Sequence, residues 1–288
     1  MYCYSMEIDL LYPLGFCKGV QNAIDTAIEA ANTYNDLPIY CIGPIVHNKM
    51  VNDSLAAKNI HILNGNKKDL IDSIDKGVVI FSAHGTDTSL IEYAKSKNLI
   101  VINTICTYVQ KSMNIIKQYL NNNYKVLFIG VNNHPETEAI CSISQSVYLC
   151  TNEANIPVFN KTDNILVANQ TTLSIDDLTS LHNLIKGKYP QAIFADEICN
   201  STRLRQQQIK NIDATIVDGI IIVGDKTSNN TKSLLKLALS KKIDAIMIEN
   251  LSDLNNNWLS SKKHICIASG ASTPLNVIKE VYNFIRSL

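Results

Sequence analysis

Three cysteines of this chain stand where an extended segment gives way to a helical one, a junction at which a thiol is well placed to meet a ligand. They are Cys17 in GFCKGV, Cys106 in NTICTYVQ and Cys199 in EICNST. The other five of the eight cysteines are interpreted as packing residues, the usual role of a reduced cysteine: Cys3, Cys41, Cys141, Cys150 and Cys266. The three junction cysteines are therefore the first candidates for chemistry.

Each junction cysteine is followed by two polar clusters at similar distances. The first clusters lie 30, 28 and 30 residues farther on, at His47, His134 and Asn229. The second clusters lie another 37, 37 and 43 residues along, at His84, Thr171 and Ser272. This spacing indicates three passes of one module. Three other histidines fall outside the repeat and are interpreted as ordinary core or surface residues: His61, His182 and His264.

The elements that position these residues alternate along the chain. Apolar runs such as KVLFIG, DGIIIVG and HICIASG are separated by amphipathic stretches such as NAIDTAIEAAN and LNVIKEVYNFIRSL. This alternation is typical of βαβ units around parallel sheets, whose ligands bind beyond the carboxyl ends of the strands. We predict an α/β protein of three similar small modules with pseudo-threefold symmetry around one polar cavity. The predicted modules are 18–105, 106–197 and 198–288, with the N-terminal strand, 1–17, added to the third.

Three thiolates around one cavity suit two kinds of metal centre. A zinc ion held by three cysteines keeps its fourth position open, as catalytic zinc does. A [4Fe–4S] cluster held by three cysteines leaves one iron without a protein sulfur, and that iron can act as a Lewis acid. No CxxC motif is present, so neither the ribbon type of zinc site nor the ferredoxin run is predicted. Spacing alone does not choose between zinc and a cluster.

Composition limits the partners. The chain has 26 basic and 26 acidic residues and a formal net charge of zero, which argues against nucleic acid. No stretch approaches the roughly 20 apolar residues of a membrane span. The N-terminal MYCYSMEIDLLYP lacks the basic region of a signal peptide. We therefore expect a cytoplasmic protein with a small-molecule ligand and no nucleic-acid or membrane partner.

Seven motifs resemble, in order and spacing, the 4-hydroxy-3-methylbut-2-enyl diphosphate reductase (IspH/LytB) family. They are GFCKGV, IVHNK, FSAHG, HPETEA, ANQTTLSIDD, GDKTSNNT and SGAST, and the resemblance runs from about Met6 to the C-terminus. It implies a trefoil of three α/β domains around a central cavity that holds a [4Fe–4S] cluster. It also implies an oxidoreductase of isoprene biosynthesis, a reductive dehydroxylase that makes isopentenyl and dimethylallyl diphosphate in the last step of the methylerythritol phosphate pathway. Ferredoxin or flavodoxin would supply the electrons.

The resemblance also implies residue roles. The cluster ligands would be Cys17, Cys106 and Cys199. The substrate would lie among His47, His84, His134, Thr171, Thr172, Ser228, Asn229, Asn230 and Ser272. The catalytic group would be Glu136 as proton source, Thr171 at the substrate hydroxyl and His134 beside them. Helix N-termini, hydroxyls and histidines can hold a diphosphate without formal charge, and burial would raise the pKa of Glu136. Thr171 and Thr172 also fit a helix cap before LSIDD.

The chain departs from the family pattern at five positions. They are Thr107 for a proline, Ala139 for a glycine, Asn200 for an aromatic residue, Leu204 for an asparagine and Asn229 for a serine. The last of these changes one diphosphate donor from a hydroxyl to an amide. None removes an implied cluster ligand or the implied acid, so we expect the chain to be active.

Two alternatives remain open on the residues alone. A zinc-dependent hydrolase could use the same three cysteines and would be colourless. A non-catalytic phosphometabolite-binding α/β protein would merely bury its thiols, and replacing Cys106 by serine would leave its ligand binding unchanged. No G-x-G-x-x-G motif follows an apolar run, so a dinucleotide site is not predicted.

Overall fold

The structure is a computed structural model that describes residues 6–288, so Cys3 lies outside the described residues. Its strands are β1 (Glu7–Leu10), β2 (Ile39–Ile42), β3 (Ile60–Leu63), β4 (Val78–Phe81), β5 (Ile100–Asn103), β6 (Lys125–Ile129), β7 (Val147–Cys150), β8 (Ile165–Asn169), β9 (Ile193–Phe194), β10 (Gly219–Val223), β11 (Asp244–Ile248) and β12 (His264–Ser269). Its helices are α1 (Lys18–Thr33), α2 (Lys49–Ala56), α3 (Lys67–Asp72), α4 (Thr88–Ser96), α5 (Thr107–Asn121), α6 (Pro135–Cys141), α7 (Ile175–Lys188), α8 (Asn200–Lys210), α9 (Asn229–Ser240), α10 (Asn256–Ser260) and α11 (Leu275–Arg286), and two short 3-10 helices are Glu153–Asn155 and Leu251–Asp253. None of the described helices is both long and apolar enough to cross a membrane.

The chain folds as two compact units. The first unit comprises the chain up to Lys18, the short segment His47–Lys49 and Asn200–Leu288. The second unit comprises Gly19–Val46 and Met50–Cys199.

Three parallel four-stranded sheets share one strand order. The second unit contains the sheets β3-β2-β4-β5 and β7-β6-β8-β9, and the first unit contains β11-β10-β12-β1. In each sheet the order is second, first, third and fourth strand of the module. β1 opens the chain but takes the fourth place, pairing in parallel with β12 from Glu7 opposite His264 to Leu10 opposite Ile267. The repeated order confirms the predicted α/β class with three similar modules.

The central strands are continuous apolar runs. β4, β8, β10 and β12 are buried along their whole length, which is the pattern of parallel strands covered by helices on both faces. On the sheet of the first unit, Leu234 and Ala238 of α9 pack in one core layer and Val277 and Val281 of α11 in the other. Each fully buried Val or Leu contributes roughly 1.5–3 kcal/mol to folding. Packing against the helices holds the strands in place. The candidate site residues follow the carboxyl ends of these strands.

Three of the cysteines assigned to packing are confirmed as core residues. Cys41, Cys150 and Cys266 are buried in strands. Burial raises the pKa of Cys41 to about 12, and burial together with the Asp9 carboxylate raises the pKa of Cys266 to about 12. Cys141 ends α6 and is half-buried.

Candidate functional site

Two of the three candidate cluster ligands lie in the second unit, at strand-to-helix corners. Cys106 is the N-cap residue of α5, and its backbone N–H donates to the carbonyl oxygen of Ala83 at 2.9 Å. Cys199 follows β9, and its N–H donates to the carbonyl oxygen of Thr171 at 3.1 Å. Each cysteine is therefore anchored to the loop that follows the neighbouring strand.

Cys17 of the first unit is held by the corresponding bond. Its N–H donates to the carbonyl oxygen of Ala271 at 2.9 Å, in the loop after β12. Just before it, Gly15 has a φ of +78°, which glycine adopts without strain, and its N–H donates to Ser269 Oγ at 3.0 Å. One hydrogen-bond pattern thus repeats at all three candidate ligands, always toward the second polar cluster of a module.

Glu136 and Thr171 form a buried pair within the second unit. Glu136 lies in the first turn of α6 and is 1% exposed. Its Oε1 accepts a hydrogen bond from the Thr171 backbone N–H at 2.8 Å, and its Oε2 lies 3.0 Å from Thr171 Oγ1. Burial raises the pKa of Glu136 to about 8, with Glu197 adding to the rise and the two hydrogen bonds from Thr171 opposing it.

A protonated Glu136 can hand its proton to Thr171. Thr171 Oγ1 donates to Oε2 of the ionised carboxylate, and once Oε2 is protonated the same contact can run the other way, from the acid proton to Thr171 Oγ1. The hydroxyl proton of Thr171 is then available to another acceptor. The pair is therefore a short proton path that ends on a threonine hydroxyl.

His134 caps the same helix. Its Nδ1 accepts a hydrogen bond from the Glu136 backbone N–H at 3.1 Å, so the neutral ring carries its proton on Nε2. The ring of His84, in the loop after β4, meets His134 edge to face with 5.6 Å between ring centroids. The two imidazole rings are therefore in contact at the start of α6, the helix that carries Glu136.

Gln170 lies beside the Glu136–Thr171 pair and was not singled out from the sequence, although the motif ANQTTLSIDD contains it. It is fully buried, its Oε1 accepts from the Val131 N–H at 3.0 Å, and its Nε2 donates to Thr172 Oγ1 at 3.1 Å. It thereby joins the loops after β6 and β8. Its only sequence signal was its place beside the two threonines. The alternative role of Thr171 and Thr172 as a helix cap is wrong, because Ser174 caps α7 and accepts from the Asp177 N–H.

Three predicted diphosphate donors of the first unit lie at the start of α9. Ser228 is the N-cap residue, and its Oγ accepts from the Thr231 N–H at 3.4 Å. Asn229 is the first helical residue. Asn230 is buried, and its Nδ2 donor has no hydrogen-bond partner among the described residues. A helix N-terminus with an unsatisfied buried amide donor is suited to an anion.

His47 and Ser272 are held together in the first unit. Ser272 Oγ donates to the His47 carbonyl oxygen at 2.8 Å, and the next residues are fixed by Asp225, which accepts from the Lys49 N–H at 3.0 Å. Burial lowers the pKa of His47, although Asp225 opposes this. A neutral imidazole is thus favoured as a hydrogen-bond donor beside Ser272. Asp225 was not singled out from the sequence, where it is one acid among 26.

Arg205 ties the loops of the first unit to α8. The side chain is buried, and Nε donates to the Ser269 carbonyl oxygen at 3.1 Å. Nη2 donates to the Gly15 carbonyl oxygen at 2.6 Å, and Nη1 donates to Ser201. One planar guanidinium therefore fixes the loop of Cys17 and the end of β12.

We expect Arg205→Lys to raise the KM for substrate roughly tenfold or more, because a single ammonium cannot serve both carbonyls, so the end of β12, which leads to Ser272, loses its fixed position. Arg203→Lys, two positions away on α8, is the matched control. Steady-state kinetics and iron content of both variants test the role. Equal KM values would make Arg205 a residue of fold stability only.

Three of the five departures from the family pattern lie at exposed positions. Thr107 is the exposed first residue of α5, where proline is favoured but not required. Asn200 and Leu204 are both exposed on α8. Ala139 is buried in α6, and its Cβ lies 3.4 Å from the position a Cβ on Gly85 would take, so the extra methyl fills space beside the loop of His84.

Comparisons with known proteins agree on one family. The family described as LytB protein matches residues 8–286. The 4-hydroxy-3-methylbut-2-enyl diphosphate reductase of Malacoplasma penetrans (strain HF-2) is 37% identical over 292 residues, covering 98% of this chain and 97% of that protein. The enzyme of the same name from Bacillus subtilis (strain 168) is 35% identical over 291 residues, covering 98% and 91%.

Solved structures agree with these relatives. The E-1-hydroxy-2-methyl-but-2-enyl-4-diphosphate reductase from Plasmodium falciparum is similar with a TM-score of 0.91 and 29% identity, covering 97% of this chain and 88% of that chain. A second structure, of (E)-4-hydroxy-3-methyl-but-2-enyl diphosphate reductase, described as the terminal enzyme of the non-mevalonate pathway, has a TM-score of 0.71 and 27% identity, covering 98% and 100%.

Proposed function

Because the chain belongs to the LytB family, we infer that it is a 4-hydroxy-3-methylbut-2-enyl diphosphate reductase, an oxidoreductase of the last step of the methylerythritol phosphate pathway. The reaction removes the allylic hydroxyl as water, with two electrons and two protons, and leaves isopentenyl or dimethylallyl diphosphate. The structural observation that supports it best is the buried Glu136–Thr171 pair, a proton source of suitable pKa. The hydrolase and the binding protein have no support, since the relatives described above are named as this reductase.

The family uses an iron–sulfur cluster, and we propose that it is a [4Fe–4S] cluster with Cys17, Cys106 and Cys199 as ligands. The residues fit this group: each thiol starts at the same corner of its module and is anchored by the same backbone bond. When bound, the cluster supplies electrons and a Lewis-acidic iron for the hydroxyl oxygen of the substrate. Three protein ligands leave the fourth iron without a protein sulfur.

The diphosphate is proposed to bind through neutral donors. In the first unit these are His47, Ser228, Asn229, Asn230 and Ser272, and in the second unit His84, His134 and Thr172. The unsatisfied Asn230 amide and the α9 N-terminus support the first group. Neutral donors are sufficient because a helix N-terminus already favours negative charge.

Glu136 supplies protons in this proposal. It holds its proton near neutral pH because it is buried. Thr171 binds the substrate hydroxyl and passes the proton to it, so the leaving group departs as water rather than hydroxide. His134, which fixes the start of the Glu136 helix, is a donor beside them.

Ferredoxin or flavodoxin remains the proposed electron donor, and the cytoplasm the proposed location. No nucleic-acid or membrane partner is proposed. The electron donor, the location and the absence of such partners are all predictions from the sequence and the family.

Anaerobic purification followed by iron, zinc and sulfide analysis tests the function. We expect about four irons and four sulfides per chain, a brown protein, and consumption of the hydroxylated diphosphate with a chemical reductant. A colourless protein with one zinc and no sulfide would contradict the reductase and favour the hydrolase. A protein without metal that still binds the diphosphate would favour the binding protein.

A further inference from the structure

The seam between β1 and β12 holds a carboxylate, an imidazole and a thiol that the proposed reaction does not use. Asp9 pairs with Cys266 and Glu7 with His264, so Asp9, His264 and Cys266 share one face of the sheet of the first unit. Their ligand atoms all lie within 4.8 Å of one another. His264 opens β12, Cys266 is its third residue and Ser269 ends it, so the group lies roughly 10–16 Å along the strand from Ser269.

We propose that Asp9, His264 and Cys266 bind a divalent transition-metal ion, with zinc as the best match. Zinc accepts thiolate, imidazole and carboxylate ligands in one tetrahedral site. Three protein ligands leave the fourth position to water. The Asp9 side chain is 57% exposed whereas that of His264 is 11% exposed, so solvent reaches the group from the Asp9 side.

The surroundings of His264 supply a second observation. Its Nε2 lies 2.8 Å from Asp9 Oδ2, on the side of the proposed ion. Its Nδ1 is buried without a hydrogen-bond partner among the described residues and lies 3.7 Å from Glu7 Oε2. A metal-bound imidazole commonly directs its other N–H at a carboxylate, which fixes the tautomer and the ring. Glu7 is placed for that role.

Occupation requires the ligand side chains to adjust their positions. Bonds of about 2.0–2.1 Å to nitrogen and oxygen and about 2.3 Å to sulfur separate tetrahedral ligand atoms by roughly 3.3–3.6 Å. The Asp9 oxygen therefore has to move out by about half an ångström from its hydrogen bond with His264. The ion also has to displace the thiol proton of Cys266, because ligands bind zinc as thiolates.

A metal here would join β1 to β12. β1 is a four-residue strand, and β12 is its hydrogen-bonded neighbour in the sheet. An ion that binds only the folded seam stabilises the folded state by mass action. The proposed effect of the ion is therefore to hold the N-terminal strand in the place of the fourth strand.

Zinc binding by the anaerobic holoenzyme tests the proposal. The protein, freed of loose metal on a chelating resin, is dialysed against one equivalent of zinc chloride and studied by zinc K-edge absorption. We expect one zinc per chain with one sulfur at about 2.3 Å and the remaining ligands nitrogen or oxygen. Iron content stays unchanged, and zinc raises the Tm of the wild type but not that of Asp9→Asn.

Matched variants separate this site from adventitious binding. Cys266→Ala and His264→Gln are expected to weaken zinc binding at least tenfold. Cys41→Ala, which removes another buried strand thiol, should leave it unchanged. The proposal is overturned by the absence of retained zinc, by a zinc without sulfur, or by equal affinity in Cys266→Ala and Cys41→Ala. A zinc with three sulfurs and a loss of iron would place the ion at the cluster cysteines and overturn it too.

Discussion

Replacing Glu136 by glutamine is expected to lower kcat for reduction of the hydroxylated diphosphate by roughly 10²–10⁴-fold, the range for a lost general acid. The amide keeps both contacts of the acid, because its oxygen can accept from the Thr171 N–H and its NH₂ can donate to Thr171 Oγ1. It cannot release a proton. Single-turnover reduction with the cluster pre-reduced measures the chemical step directly.

Glu138→Gln is the matched control. Glu138 lies two positions farther along α6, where its carboxylate is 53% exposed and 3.4 Å from Lys67 Nζ. We expect its kcat to stay close to that of the wild type. Equal rates for Glu136→Gln and the wild type would show that Glu136 does not deliver the proton, whatever the rate of Glu138→Gln.

The pH profile provides an independent readout. Below its pKa of about 8, Glu136 is protonated and able to act as an acid, so the rate should fall as pH rises through about 8. Glu136→Gln should lack this limb. A wild-type rate that does not change between pH 6 and roughly 9 would contradict a catalytic proton on this group.

The same shift affects stability with a defined sign. The pKa of Glu136 rises from an ordinary 4.5 to about 8 on folding, so its contribution to stability is full below 4.5 and is lost as pH rises toward 8. Glutamine does not ionise, so its contribution to stability does not change with pH. The Tm of Glu136→Gln relative to the wild type should therefore increase from pH 5 to roughly 8 and then level off.

The fold was predictable because the module repeats. Three cysteines followed by two polar clusters at similar spacing marked the strand ends, and the three sheets have one strand order. The N-terminal strand was predicted to join the third module. In the structure β1 pairs with β12 in the sheet of the first unit. The module boundaries themselves remain a prediction.

The positioning residues were not predictable, because their partners are distant in sequence and mostly backbone. Arg205 donates to Gly15, 190 residues away, and Gln170 accepts from Val131, 39 residues away. A motif reveals residue types but not the carbonyl that each donor will meet. His264 was interpreted as an ordinary core or surface residue for the same reason, since only the register of β1 on β12 brings Asp9 to it.

Removing one proposed cluster ligand is the second change with a large expected effect. Cys106→Ser should lose most of its iron and sulfide and show activity reduced on the order of a hundredfold or more, because the proposed [4Fe–4S] cluster would keep only two protein thiolates and would be poorly held. Cys141→Ser is the control, since that thiol is also half-buried but ends α6, away from a strand-to-helix corner. Iron and sulfide assays with the visible spectrum of the anaerobic proteins measure the difference.

Serine variants of all three cysteines, compared with one another, test whether the repeated cysteines bind one metal centre. If Cys17, Cys106 and Cys199 form one ligand set, each serine variant should lose iron to the same extent, as the identical backbone anchoring of the three corners leads us to expect. Iron retained in any one of them would remove that residue from the set and require a ligand from elsewhere. Zinc lost instead of iron would revive the hydrolase, because the same three thiols can hold either metal and only the bound ion distinguishes the two chemistries.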